Sequence, residues 1–159
     1  MSQSSNPLRL NVGFMQHESV GNHRDLNFEL DELTLYTELQ LTKINGQVRI
    51  NRTPQGLLID ATFSAFVVGQ CVRCLEDYQQ PLSMEFQELF AYRTRHTREY
   101  EFFVPEDGHI NLAPLVYQNM VLAIPIKALC QPDCKGLCTF CGTNLNQSTC
   151  EHETARVEY

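Results

Sequence analysis

Residues 130–152 read CQPDCKGLCTFCGTNLNQSTCEH and hold most of the cysteine in the chain. With an earlier pair, the seven cysteines and one histidine form four close pairs: Cys71-x2-Cys74, Cys130-x3-Cys134, Cys138-x2-Cys141 and Cys150-x-His152. A structural zinc ion takes four such ligands in a tetrahedron, and a C-x2-C unit supplies two of them from one tight turn. The eight candidate ligands therefore predict two structural zinc ions per chain.

The spacing along the chain favours one division of these ligands into two sites. In this local pairing the two sets are Cys138, Cys141, Cys150 and His152, and Cys71, Cys74, Cys130 and Cys134. The first set closes a short loop in the tail, whereas the second clamps the earlier pair to the tail. Two alternatives stay open: a cross-paired arrangement, in which the two C-x2-C units share one metal, and a redox function of those units. His152 is the weakest ligand, because it could instead be an exposed tail residue.

Composition and charge narrow the class of protein. The chain has 159 residues, of which 43% are hydrophobic, enough to build a core without help from metal. It has no apolar run of membrane-span length, and residues 1–13 lack the pattern of a secretory signal, so we expect a soluble, cytoplasmic protein. The formal net charge is −7. Deprotonation of the seven cysteines would add seven negative charges and two Zn²⁺ would add four positive ones, which gives −10. Any RNA contact must therefore be local or made through a protein partner.

The first part of the chain alternates apolar and polar residues, as strands with one buried face do. The predicted strands are residues 8–14, 23–30, 33–41, 48–51, 57–68 and 82–92, the last of which alternates less cleanly and is predicted from its aromatic content and its position after Pro81. Turn residues separate several of them, notably Asn45-Gly46 and Pro54-Gln55-Gly56. The last two strands place Cys71 and Cys74 at the tip of a hairpin.

A single helix is predicted after an irregular loop over residues 93–108, which holds a short strand at 101–104. Asn111 is a candidate N-cap, and Pro125 ends the helix. One stripe at helical spacing should pack on the core: Leu112, Leu115, Val116, Asn119, Met120 and Ala123.

These elements predict an α+β fold. We expect a mostly antiparallel sheet, one main helix and a C-terminal zinc-binding module. Closure of the sheet into a barrel is kept as an alternative. Residues 1–125 would form the β-rich body, and residues 126–159 would form the cysteine-rich tail packed on the 71–74 turn, all within a single domain.

Three motifs together carry a family resemblance: Cys71-Val72-Arg73-Cys74-Leu75-Glu76, Leu122-Ala123-Ile124-Pro125, and the cysteine-rich residues 130–146. The chain resembles the YceD family of bacterial and plastid proteins, the large ribosomal RNA subunit accumulation proteins. The resemblance implies a non-enzymatic factor linked to accumulation or processing of 23S ribosomal RNA. Family members usually close the tail with C-x-C. Here His152 takes the last position, which preserves a ligand and makes the site less anionic by one charge.

Basic residues near these motifs are the candidates for RNA contact. They are Arg93, Arg95, Arg98, Lys127 and Lys135. The three arginines lie between two tyrosines, as in segments that contact phosphates and unstacked bases, although a solvated loop is the simpler interpretation. The two lysines lie beside ligand cysteines, where neutralising thiolate charge is the simpler role.

The expected partners are 23S rRNA or a precursor large-subunit particle, or a large-subunit protein, and neither a membrane nor a small-molecule substrate. No enzymatic activity is predicted, because the sequence offers no phosphate-binding loop and no nucleophile motif. The alternative is a zinc-stabilised protein–protein interaction module without direct RNA contact, which the acidic charge favours. A thiol or metal-handling enzyme is a third hypothesis, and it predicts exchangeable zinc or a titratable disulfide.

Overall fold

The computed structural model describes residues 6–93 and 99–152. In chain order, the elements are β1 (Arg9–Asn11), a 3₁₀ helix (Gly13–His17), β2 (His23–Leu35), β3 (Leu39–Arg52), β4 (Gly56–Gln70), β5 (Asp77–Ala91), β6 (Phe102–Phe103), β7 (His109–Asn111) and α1 (Ala113–Ala123). The predicted α+β class is confirmed. Within the described residues, no helix is long and apolar enough to cross a lipid bilayer.

The strands form one large open sheet and one small one. The large sheet has the order β2-β3-β4-β5-β6, with antiparallel neighbours except for the short parallel pairing of β6 with β5. β1 and β7 pair separately, antiparallel to each other. Since β2 and β6 do not pair, the large sheet is not closed, and the barrel considered from the sequence is wrong.

One face of the large sheet is apolar and covered. Along β3 and β4 the buried residues alternate with exposed or half-buried ones, as the period of a strand requires. Leu112, which precedes the helix, and Leu115, Val116 and Met120 are buried against this core, and Ala123 is half-buried against it, which confirms these positions of the predicted stripe. Asn119, the remaining member, donates its side-chain amide to the carbonyl of Leu115. The opposite face of the sheet carries mainly polar side chains, such as those of Gln47, Arg49 and Thr62, all exposed. Burial of this single apolar face is the main driving force of the fold.

The predicted end of α1 at Pro125 is confirmed, whereas the predicted N-cap, Asn111, is wrong by one residue. The side-chain oxygen of Asn111 accepts a hydrogen bond from the backbone N–H of Ala113 at 3.1 Å, although the N-cap residue itself is Leu112. At the other end, Ile124 is already extended, with φ −67° and ψ 121°, because a residue before proline is disfavoured in the helical conformation.

The predicted strand over residues 33–41 is wrong, because it contains a hairpin turn. β2 ends at Leu35 and β3 begins at Leu39. Tyr36 and Thr37 both have left-handed φ values, 53° and 63°, without a glycine or asparagine to mark the turn. The helix supports it from outside: the Tyr117 ring packs edge-on against Tyr36 at 5.0 Å, and its hydroxyl donates to Glu38 at 2.9 Å.

The predicted turn at Asn45-Gly46 is also wrong, because both residues lie inside β3. Gly46 faces Phe63 of β4, and a Cβ atom at this position would overlap the phenyl ring. The absence of a side chain therefore allows a close approach rather than a turn. A bulge lies just before it, between Thr42 and Asn45, where Lys43 has φ 50°.

The hairpin that carries the first cysteine pair is confirmed. β4 and β5 pair from Gly56 with Ala91 to Gln70 with Asp77, so both strands are longer than predicted. Cys71 and Cys74 lie in the connection between them. The predicted strand over residues 8–14 is shorter than expected, because the 3₁₀ helix begins at Gly13.

Candidate metal centre

The first cluster consists of four cysteine sulfurs from two distant parts of the chain. Cys71 and Cys74 come from the β4–β5 turn, and Cys130 and Cys134 come from the segment after α1. The four ligand atoms lie within 4.8 Å of one another. The sulfurs of Cys71 and Cys134 are 3.7 Å apart, as are those of Cys74 and Cys130.

Backbone hydrogen bonds shape the turn that holds the first two sulfurs. The N–H of Cys71 donates to the carbonyl of Glu76 and the N–H of Leu75 donates to the carbonyl of Cys71, both at 2.9 Å. Leu75 has a left-handed φ of 60°, which reverses the chain into β5. The turn therefore presents both cysteines on one side.

The tail is joined to this turn by backbone contacts as well as by cysteines. Val72 donates its N–H to the carbonyl of Ala128 at 2.9 Å, and Leu137 donates to the carbonyl of Arg73 at 3.2 Å. Gly136, with φ 76°, packs against Arg73 so closely that a side chain there would crowd its carbonyl. These contacts align the two halves of the first cluster.

The surroundings of the first cluster favour the thiolate form of Cys71 and the thiol form of Cys130. Backbone N–H groups, foremost that of Cys74, lower the pKa of Cys71 to about 6. Burial is the main cause that raises the pKa of Cys130 to about 12. A divalent cation at the centre would favour the thiolate form of all four, because its charge stabilises the deprotonated sulfur.

Polar groups around Cys134 complete the surroundings of the first cluster. The Asn146 amide donates to the Cys134 sulfur at 3.2 Å, and its side-chain oxygen accepts the N–H of Lys135 at 2.8 Å. The Arg73 guanidinium donates to the carbonyl of Cys134 at 2.9 Å. Sequence spacing gave no signal for Asn146, because its role depends on how residues 134–146 fold back.

The second cluster lies within the tail and is more exposed. Its members are Cys138, Cys141, Cys150 and His152, whose ligand atoms also lie within 4.8 Å of one another. Gly142, with φ 74°, donates its N–H to the carbonyl of Cys138 at 2.9 Å and so forms the tight turn of the C-x2-C unit. The His152 ring stacks on Phe140 with centroids 5.4 Å apart.

One thiol of the second cluster is also biased toward ionisation. The Thr143 hydroxyl lies 3.1 Å from the Cys141 sulfur, and this contact is the main cause that lowers the pKa of Cys141 to about 6. Its backbone N–H and His152 act in the same direction. The three sulfurs and one imidazole of this cluster thus lie close enough together to contact a single ion.

The sulfur spacing of the first cluster and the donor sets of both clusters are compatible with a tetrahedral zinc ion. Four ligands at a Zn–S distance of about 2.3 Å are separated from one another by about 3.8 Å, close to the 3.7 Å observed between sulfurs of the first cluster. The four residues of each group are those of the local pairing, and the cross-paired groups are not brought together. Both clusters could hold metal ions, and both donor sets, four thiolates or three with an imidazole, are those of structural zinc sites.

A small apolar cluster surrounds the first site and is separate from the main core. Cys71, Cys74 and Cys134 pack with Tyr78, Leu129, Cys130 and Leu137. The main core contains none of these residues. Within residues 126–152, the packing against the β4–β5 turn therefore centres on the sulfurs.

The residues considered for RNA contact fall in two places. Arg93 follows β5 and its guanidinium lies 5.5 Å from the ring centroid of Phe103, whereas Arg95 and Arg98 lie outside the described residues. Lys127 and Lys135 are exposed in the segment that carries the first cluster.

Comparison with known proteins identifies relatives over most of the chain. Residues 59–158 match the family model described as "Large ribosomal RNA subunit accumulation protein YceD". An uncharacterized protein of Mycobacterium tuberculosis is 30% identical over 136 residues, which is 83% of this chain and 63% of the relative. The chain thus spans less than two thirds of the length of that relative. No solved structure matches the chain.

Two further relatives extend the comparison to other organisms. YlbN of Bacillus subtilis is 28% identical over 120 residues, or 67% of each protein. The large ribosomal RNA subunit accumulation protein YCED homolog 1, chloroplastic, of Arabidopsis thaliana is 39% identical over 49 residues, 31% of this chain and 15% of that protein. Because the family model matches more than half of the chain and includes both cysteine clusters, the chain belongs to the YceD family.

Proposed function

We propose that this chain is a non-enzymatic, cytoplasmic zinc-binding factor that supports accumulation of 23S rRNA and assembly of the large ribosomal subunit. Membership of the YceD family is the observation that carries the proposal, since the family is described by large ribosomal RNA subunit accumulation and its plant members bear that name. The two zinc ions have a structural role in this proposal. Each is held by the four residues of one cluster.

The zinc assignment is supported by the donor chemistry and the sulfur spacing of both clusters. Neither cluster offers an open ligand position beside a general base, which a catalytic zinc site requires. The ions would instead hold the tail, residues 126–159, on the body formed by residues 1–125. The surface that results combines the β4–β5 turn with exposed Lys127 and Lys135.

Replacing Asn146 with Ala should weaken zinc binding at the first cluster by roughly 10- to 100-fold, because its amide hydrogen bond to the Cys134 sulfur is lost. Competition with a chromogenic chelator measures the change, and the second site should keep its affinity. Asn119→Ala is the matched control, since the Asn119 side-chain amide donates to the carbonyl of Leu115 within α1 instead of to a sulfur. Equal affinities for the two variants would contradict the assigned contact.

The function is tested by association with ribosomal precursors. We expect the purified protein to bind precursor 23S rRNA, or large-subunit precursor particles, most strongly at low salt, where electrostatic contacts are least screened. Absence of the protein from these particles at every salt concentration would overturn the proposal.

A triple variant separates direct RNA contact from contact through a protein. Replacing Arg93, Arg95 and Arg98 with Ala should lower the slope of log affinity against log salt by about 2 for single-stranded RNA, if each arginine contacts one phosphate. The control variant replaces Arg9, Arg24 and Arg49 with Ala. The ion pairs of these arginines are exposed, and the control variant has the same net charge as the first triple variant.

An alternative function, a protein–protein interaction module without direct RNA contact, is favoured by the net charge of −7. It predicts that the triple variant still joins precursor particles and that its affinity for naked 23S rRNA equals that of the control variant. The two functions therefore give opposite results in the same pair of binding measurements.

A further inference from the structure

The large sheet leaves two long strand edges open in the described part of the chain. β5 is covered by β6 at Phe90 and Ala91 only, but its edge is interrupted by Pro81, which has no N–H to donate. β2 pairs with β3 alone and has neither proline nor glycine in its 13 residues. From His23 to Leu30 the pairing with β3 is regular, so the outer N–H and C=O groups of this part of β2 form a continuous hydrogen-bonding edge; beyond it the burial pattern changes phase between Leu30 and Leu33.

The apolar face of the sheet is only partly covered at β2, the strand at its edge. Leu26, Phe28, Leu30 and Leu33 pack against the core but are only half-buried. The Phe28 ring lies 5.7 Å from that of Phe63, so it continues the aromatic core to the edge. A further strand with apolar residues on this face would complete the burial of Leu26, Phe28 and Leu30, which lie at every second position.

The remaining side chains of β2 are strongly acidic. Asp25 is bound to the Arg49 guanidinium at 2.7 Å. Glu29, Asp31 and Glu32 are exposed, and no ion pair or hydrogen bond of their side chains is found among the described residues. With Arg24 as its one strong base, the strand has a net charge of −3, the sum of four carboxylates and one guanidinium.

A groove continues from the end of β2 toward the helix. Its volume is about 560 Å³. It is lined by Asn6, Pro7, Asn111 and Ala113 and by residues 32–36. An extended segment that leaves the edge of β2 can therefore stay in contact with the protein.

We propose that the edge of β2 binds an extended basic segment of a partner protein as an added strand. The partner alternates apolar residues, which cover Leu26, Phe28 and Leu30, with lysine or arginine, which meet the free carboxylates. RNA is disfavoured because the carboxylates repel phosphates. A second copy of this chain is disfavoured because a centred antiparallel pair would place Glu29 opposite Glu29. The inference depends on neither the metal clusters nor RNA binding.

Synthetic peptides of about ten residues, long enough to span most of β2, provide the test. An alternating valine–lysine peptide should bind the full chain and slow amide exchange along β2. An alternating valine–glutamate peptide should not bind. A valine–lysine peptide methylated at alternate backbone nitrogens should bind weakly, because it cannot donate the ladder of hydrogen bonds.

Two charge-reversal variants locate the binding edge. Glu29→Lys should weaken binding of the valine–lysine peptide by roughly threefold to tenfold, since an attractive cross-strand pair becomes a repulsive one. Glu85→Lys on β5 is the matched control, because Glu85 is also exposed on the polar face, and it should leave the affinity unchanged. Binding of the valine–glutamate peptide should appear when Glu29, Asp31 and Glu32 are all replaced by Lys.

Several results would overturn the proposal. One is equal binding of the methylated and unmethylated lysine peptides, which would indicate charge attraction without strand addition. Others are protection of β5 instead of β2, equal effects of the two charge reversals, or a failure of the lysine peptide to bind at low salt. Self-association that buries β2 would also contradict it, because the occupant would then be a second copy.

Discussion

A Cys74→Ser variant will hold one zinc ion per chain instead of two, and its tail will become accessible to proteases while the sheet stays folded. Structural zinc contributes roughly 10–16 kcal/mol to the folding of zinc-finger peptides, so loss of one ligand should remove most of what holds the tail. The main core does not include the cluster residues, and it should survive the change. Elemental analysis measures the zinc, and limited proteolysis with mass spectrometry locates the cleavage.

The second cluster provides the matched variant. Cys141→Ser should also reduce the zinc content to one ion, but the first cluster should still hold residues 130–134 on the β4–β5 turn. The double variant Cys74→Ser/Cys141→Ser should hold no zinc, because each substitution removes a different site. One ion retained by the double variant would instead require a cross-paired arrangement and contradict the geometry of the two clusters.

Phe63→Ala should lower the free energy of unfolding by about 3–5 kcal/mol, the largest loss we expect from a single substitution outside the metal ligands. The Phe63 side chain is only 1% exposed, and its ring contacts Phe28 on one strand and faces Gly46 on another. Removing it leaves a cavity across three strands. Chemical denaturation followed by circular dichroism measures the change at constant zinc.

Gly46→Ala tests the same contact from the opposite side. By itself the new methyl group should destabilise the fold by about 1–3 kcal/mol, because it overlaps the Phe63 ring. Combined with Phe63→Ala, it should partly fill the cavity, so the double variant should lose less than the sum of the single losses. Strict additivity of the two changes would show that the ring and the glycine do not contact each other.

The strands were predictable from alternation wherever the buried apolar residues stayed at every second position along a single strand. Residues 57–68 are an example, and they lie within the longer strand β4. Residues 82–92 alternate less cleanly and were predicted from their aromatic content and their position after Pro81; β5 covers all of them except Tyr92. The β2–β3 turn was not predictable because Leu33, Leu35, Leu39 and Leu41 keep the same phase across it. The turn is supported by Tyr117, which is distant in sequence, so no local signal could reveal it.

The cysteine clusters were more accessible to sequence reasoning than the sheet. Ligand spacing is a local property, and it predicted both groups of four that the fold brings together. The surroundings of the sulfurs were not predictable. Asn146 reaches Cys134 only because Gly136 and Leu137 fold the tail back on the β4–β5 turn.

The separation of Cys74 from Cys130 along the chain has a consequence for the order of folding. The halves of the first cluster lie on opposite sides of both β5 and α1 in the chain, and Cys74 and Cys130 are 56 positions apart, so closing this cluster costs more chain entropy than closing the second. The second cluster needs only the tail, so it can take up metal early. We therefore expect metal binding at the first cluster to follow that at the second, because the two ends of a much longer loop must meet before its four sulfurs can share one ion.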